Sequence, residues 1–105
     1  LLPLDIIQVI SEERYVGYAN KNYPDNLILY IIKPYNKKPA NVGNGTMISF
    51  LAYSKKIVDQ FHEIGIKNGG INEGMPGPRH QQDYYAYLRD KDGNKICAFF
   101  KDPIN

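Results

Sequence analysis

The residues with the most chemistry to offer stand close together near the C-terminus: one thiol, Cys97, and three rings, Tyr85, Tyr87 and Phe99. They lie in the run Asp83-Tyr84-Tyr85-Ala86-Tyr87-Leu88-Arg89-Asp90-Lys91-Asp92-Gly93-Asn94-Lys95-Ile96-Cys97-Ala98-Phe99-Phe100, which reads as two strands joined by a tight turn. Lys91-Asp92-Gly93 fits a three-residue hairpin loop, a type I turn closed by glycine in the left-handed position. That register sets Asp90 opposite Asn94 and pairs Arg89 with Lys95, Leu88 with Ile96, Tyr87 with Cys97, Ala86 with Ala98 and Tyr85 with Phe99. Because side chains alternate along a strand, one face carries Ala86, Leu88, Ile96 and Ala98 and suits packing under a helix. The other carries Tyr85, Tyr87, Cys97 and Phe99. Such an aromatic, partly polar face suits a small-molecule cavity. It equally suits a packed interface with another subunit.

Other reactive side chains are sparser. Cys97 as a nucleophile needs a neighbouring base to form thiolate, and neither histidine of the sequence is obviously placed for that. His62 is expected on a polar helix face at the surface. Arg79 and His80 precede the hairpin and could reach a ligand at a cavity mouth; a guanidinium is the better partner for a carboxylate or phosphate, and solvation is the competing reading for both. Asp90-Lys91-Asp92-Gly93 opens like a calcium loop, but Lys101 stands where the closing glutamate belongs. Asn44-Gly45-Thr46 is formally a glycosylation acceptor and is read as a turn.

The elements that must position these groups can be traced along the 105 residues. Leu1-Leu2-Pro3-Leu4 resembles the end of a packed helix, and no methionine opens the chain. Ile6–Ile10 and Tyr15–Ala19 read as strands, with Gly17 marking a bulge or close approach. Asn22-Tyr23-Pro24-Asp25-Asn26 is a turn. Leu27–Ile32 is a continuous apolar run, expected to be a central strand covered on both faces. Pro34–Gly45 is a connection, and Lys33, Lys37 and Lys38 fall in or beside it as a solvated cluster.

Thr46–Ala52 reads as a strand. Ser54 is a candidate N-cap for an amphipathic helix whose apolar face is Ile57, Val58, Phe61 and Ile64, expected to pack on Ile48, Phe50, Ile96 and Ala98. Asn68-Gly69-Gly70 ends the helix. A Gly/Pro-rich loop over Gly74–Pro78 leads into the hairpin, with one short strand near Ile71–Met75 or in that loop. The order is β-β-β, loop, β-α-β-β-β.

Composition excludes several classes. Hydrophobic content of 43% and charged content of 23% are ordinary for a globular domain, and a net charge of +2 is too small to argue for nucleic acid. No apolar run reaches the ~18 residues of a membrane helix. A single cysteine rules out an internal disulfide framework and fits a reducing cytoplasm.

Gly43-Asn44-Gly45-Thr46 leading into a strand, Ser54–His62 as the helix, Gly74-Met75-Pro76-Gly77-Pro78-Arg79, and Tyr84-Tyr85 through Cys97 together closely resemble the glyoxalase/bleomycin-resistance/dioxygenase proteins, the vicinal-oxygen-chelate (VOC) superfamily. The resemblance is densest over 44–100. It implies an α+β fold of paired βαβββ modules forming a cupped mixed sheet, with 1–35 as the remainder of a first module and 44–102 as the second. One domain would span 1–105, with the first strand and helix of the first module absent from this sequence.

In that family the sheet holds a metal through four His or Glu side chains, one on each of four strands. Here Met47 stands where a histidine is expected and Cys97 where a glutamate is expected, Leu27–Ile32 carries no acid or imidazole, and the fourth ligand would precede Leu1. The expectation is therefore no metal cofactor, a divalent ion being possible only with ligands from upstream residues. Met47 and Cys97 are expected to fill space along a cavity.

The implied function is a small-molecule-binding VOC protein with a degenerate metal site, of unknown substrate and with no catalytic residue assignable. Its ligand-binding candidates are Met47, Ser49, Arg79, Tyr85, Tyr87, Cys97 and Phe99. The alternative is a metal-dependent glyoxalase-like lyase or dioxygenase-type enzyme. A homodimer is expected, because a module lacking its first strand and helix leaves an unpaired edge and apolar surface. A small-molecule ligand, no nucleic acid, no membrane and a cytoplasmic location complete the expectation.

Overall fold

The computed structural model describes residues 1–79 and 81–102. The chain forms two compact units, Leu1–Ala40 and Asn41–Asn105. The first begins with a single 3-10 turn over Leu2–Leu4 and buries Leu4. Three antiparallel strands follow, β1 (Ile6–Ser11), β2 (Tyr15–Asn20) and β3 (Leu27–Ile32), in that spatial order. The pairing slips between Gln8 and Ile10, opposite Gly17. A Cβ on Gly17 would lie 3.0 Å from Leu27 Cδ2, so glycine here reflects close approach of the neighbouring strand.

β3 corrects an expectation. It is the edge of the three-stranded sheet, not its centre, and Ile28, Tyr30, Ile31 and Ile32 are all exposed. A continuous apolar run shows that both faces of a strand are non-polar; which strands flank it depends on the pairing of distant segments. The central strand is β2, where Gly17 and Ala19 are buried.

The second unit is one βαβββ module: β4 (Met47–Leu51), α1 (Lys55–Lys67), β5 (Ile71–Pro78), β6 (Tyr84–Arg89) and β7 (Lys95–Phe100). The sheet order is β4-β7-β6-β5, with β4 parallel to β7 and the other pairs antiparallel. The fold is thus α+β, with the element order read from the sequence. The strand expected near Ile71–Met75 or in the following loop runs through both, to Pro78. It pairs with β6 through two irregularities, between Asn72 and Gly74 and between Gly74 and Gly77, which is how a Gly/Pro-rich segment can stay in a sheet.

Helix α1 has local signals at both ends. Ser54 Oγ accepts from the Ile57 N–H at 3.2 Å, an N-cap. At the other end Gly69 takes φ +95°, and the N–H groups of Gly69 and Gly70 donate to the carbonyls of Ile66 and Gly65, a Schellman closure. The helix is rotated slightly from its expected phase. Val58, Phe61 and His62 are buried, Ile57 is half-buried, and Ile64 is exposed. On the sheet, Ala98 is buried, Phe50 and Ile96 are half-buried, and Ile48 is exposed.

His62 occupies that inner position because it has a partner. Its Nε2 lies 3.0 Å from Asn72 Oδ1, which also accepts from the Gly74 N–H. The backbone donor identifies Oδ1 as an acceptor, so His62 Nε2 carries a proton and donates. Gly65, one turn on, gives the helix its close approach to Leu88.

Candidate functional site

The β6–β7 hairpin takes the expected register at every pair, from Arg89↔Lys95 to Tyr85↔Phe99. Gly93 has φ +93°, the Asp90 N–H donates to Asn94 O at 2.9 Å, and the Gly93 N–H donates to Asp90 O at 3.0 Å. Asp90 Oδ1 accepts from the N–H groups of Asp92 and Asn94, so its carboxylate is used up in shaping the turn. Asp83, 7% exposed, secures the other end: Oδ1 accepts from the Asp102 N–H and Oδ2 lies 3.3 Å from Lys101 Nζ.

On the face away from α1 the rings form a strip. Tyr85 stacks with Phe99 at 5.4 Å and with Tyr87 at 5.9 Å between centroids, the planes within 16° and 8°. All three rings are half-buried. Cations flank Tyr87, with Lys95 Nζ 5.3 Å and Arg79 Cζ 6.0 Å from its ring centroid. Arg79 is held by backbone carbonyls, its Nη2 donating to Met75 O at 3.0 Å and its Nη1 to Pro78 O at 3.3 Å. His80, its neighbour, lies outside the described residues.

Cys97 sits within this strip but is fully buried, across from Tyr87 on one side and Ser49 on the other. Burial pushes its thiol above the ordinary value, against smaller opposing effects from a hydrogen bond with Ser49 and the charge of Lys95. Burial likewise raises the Tyr87 phenol, with Cys97 and Tyr85 adding to the shift and Arg79 opposing it. A raised thiol pKa keeps Cys97 protonated near neutral pH, which is the wrong state for a nucleophile. Met47, 42% exposed, and Ser49, also exposed, lie on β4 opposite Lys95 and Cys97.

Beyond the strip, β4, β6 and β7 meet the turn before β4 in an open cleft of about 660 Å³, lined by Val42, Gly43, Asn44, Gly45, Thr46, Met47, Arg89 and Lys95. Gly45 at φ +95° and a Thr46 N–H to Gly43 O contact of 3.4 Å shape the turn. Arg89 is engaged already: Nε meets Glu73 Oε1 at 2.6 Å and Nη1 donates to Gly93 O at 2.8 Å.

The ligand-binding candidates read from the sequence are thus all on one sheet or its margin. Tyr85, Tyr87 and Phe99 form the strip, Arg79 borders it, Cys97 and Ser49 lie beneath and beside it, and Met47 belongs to the cleft. Sequence reasoning missed Thr46, Arg89 and Lys95 as site residues. Strand alternation held the signal for two of them, since Lys95 shares a face with Cys97, and Arg89 with Tyr87.

As a metal centre the donor set does not fit. Met47 and Cys97 offer two sulfurs, one a protonated buried thiol, where hard or borderline divalent ions take imidazole and carboxylate. Among the described residues, no group of three or more His, Cys, Asp or Glu side chains is placed to hold a metal ion.

No family model matches the sequence, and no curated protein matches it. Solved structures do. The chain is similar to a glyoxalase/bleomycin resistance protein from Albidiferax ferrireducens T118, at 40% identity and a TM-score of 0.84, over 97% of this chain and 81% of that one. A glyoxalase-related enzyme from Fulvimarina pelagi matches at 13% identity and a TM-score of 0.64, over 90% and 70%. A glyoxalase/bleomycin resistance protein/dioxygenase family enzyme from Burkholderia phytofirmans PsJN matches at 14% and 0.60, over 90% and 79%. The latter two speak to the fold alone. The first defines the class: this chain belongs to the glyoxalase/bleomycin resistance/dioxygenase family, the VOC superfamily. Among the described residues, no helix is long and apolar enough to cross a membrane.

Proposed function

We propose that this chain is a small-molecule-binding VOC protein that works without a metal held by Met47 and Cys97. The observation that carries the reading is the half-buried strip Tyr87–Tyr85–Phe99 on the sheet face away from α1, with Lys95 and Arg79 beside its end ring Tyr87. Three aligned rings offer a flat apolar bed, and adjacent cations and the Ser49 hydroxyl offer orientation, the mixture typical of small-ligand sites. Aromatic compounds titrated into ¹⁵N-labelled protein should shift the amides of Tyr85, Tyr87 and Phe99 selectively, and Tyr87→Ala should weaken binding about tenfold or more. Near-stoichiometric zinc, nickel, iron or manganese in protein purified without chelator, lost in Cys97→Ala, would sink the metal-free reading.

The functional unit in this reading is a homodimer in the cytoplasm. The exposed apolar side chains of the edge strands β3 (Ile28, Tyr30, Ile31, Ile32) and β4 (Met47, Ile48, Leu51) support it, since such edges pair readily with another chain. A single cysteine, buried and without a partner cysteine in the sequence, fits a reducing compartment. Light scattering should return twice the chain mass of 12.0 kDa; a stable monomer at micromolar concentration would contradict the dimer.

A further inference from the structure

We propose that the ligand carries a single carboxylate, seated in the cleft at Lys95 and Thr46, with its apolar body laid along the Tyr87–Tyr85–Phe99 strip. The inference rests on the small-molecule reading of that strip and adds the chemical class of the ligand. The charges around the cleft carry it. Glu73 neutralises Arg89 at 2.6 Å, and Asp90 faces the hairpin amides. Lys95 lines the cleft, half-buried, with its Nζ 5.3 Å from the Tyr87 ring centroid and its charge acting on Cys97. Among the described residues, no carboxylate pairs with Lys95 or with Arg79. A cleft of about 660 Å³ thus keeps one uncompensated positive charge of its own, next to an aromatic strip bordered by a second.

One net charge suits a monoanion better than a phosphate dianion. An ammonium attracts it as a point charge, and Thr46 lines the same cleft with a hydroxyl as a second polar group. The spacing also matches a small molecule. Lys95 and Cys97 are two residues apart on β7, about 7 Å along a strand, and Tyr87 stands opposite Cys97. A carboxylate two or three bonds from a ring therefore spans from Lys95 to the strip.

Hydrocinnamate and its neutral amide, hydrocinnamide, test this by amide chemical-shift titration of the whole chain. The expected result is that hydrocinnamate shifts Thr46, Met47 and Lys95 together with Tyr85, Tyr87 and Phe99, and binds about tenfold tighter than the amide. In Lys95→Gln the two probes should bind alike, while Lys95→Arg keeps the preference; matching circular dichroism spectra confirm that both variants are folded. Equal affinities in the wild-type protein, or a preference surviving in Lys95→Gln, would overturn the carboxylate seat and leave the aromatic strip standing as a ligand site. No shift at Tyr85, Tyr87 or Phe99 with either probe would overturn both.

Discussion

The two faces of the β6–β7 hairpin come from the same strands in the same register, yet they have opposite fates. One face, Ala86, Leu88, Ile96 and Ala98, is small and aliphatic, and α1 closes over it; Ala86 and Ala98 have no exposure at all. The other, Tyr85, Tyr87 and Phe99, keeps its rings half open above a buried thiol. Small side chains let a helix approach closely and leave nothing for a ligand to touch. Large rings standing in line hold neighbours off and keep a surface available. The alternation of a strand lets one segment do both, so stability and recognition can be perturbed separately.

Breaking the helix side should have the largest effect. Phe61 is 5% exposed on the inner face of α1, and Phe61→Ala should cost about 3–5 kcal/mol by chemical denaturation. Asn72→Ala is next. It leaves the buried His62 Nε2–H and the Gly74 N–H without their shared acceptor, a loss of about 1–3 kcal/mol. Restoring stability with a second change, His62→Leu, would tie the cost to the orphaned donors rather than to β5 itself.

Smaller effects sharpen the contrast. Tyr84 OH donates to Asp59 Oδ1 at 2.7 Å across the rim of the helix side, and this bond together with burial raises the phenol's pKa. Its exposure limits the cost of Tyr84→Phe to about 0.5 kcal/mol, with no change in ligand binding. On the open face, Cys97 should show itself mainly in alkali. A thiol raised on folding contributes stability that is whole below its ordinary value of 9.0 and is lost as pH rises through the folded value. Unfolding midpoints should therefore fall above about pH 9, and Cys97→Ala should flatten that decline without altering the midpoint's response to acid. Thiol reagents at neutral pH should label native Cys97 far more slowly than unfolded protein.

Much of this architecture is legible in local sequence. The hairpin register follows from Lys91-Asp92-Gly93 because a three-residue loop with a left-handed glycine permits one pairing. The helix ends follow from Ser54 and Gly69, whose roles need only the neighbouring turn of chain. The helix phase was less secure. Ile64 and His62 both border the apolar arc, and hydrophobicity favoured isoleucine; Asn72, ten residues on, decided for histidine by supplying an acceptor for its ring N–H. The apolar run Leu27–Ile32 marks a strand but not its place at the sheet edge, because composition reports a strand's faces and not its neighbours.

The sequence by itself determined the element order, the hairpin pairing and the segregation of aromatic from aliphatic side chains. All of these are set by turn chemistry and side-chain alternation within a few residues. Only the tertiary structure decided what surrounds the strip: Arg79 and Lys95 about Tyr87, Glu73 on Arg89, Ser49 beside a buried Cys97, and the cleft from Val42 to Met47. Those neighbours come from segments far apart in the chain, and a charge is free or neutralised, or a thiol buried or exposed, only once the strands that carry them are side by side.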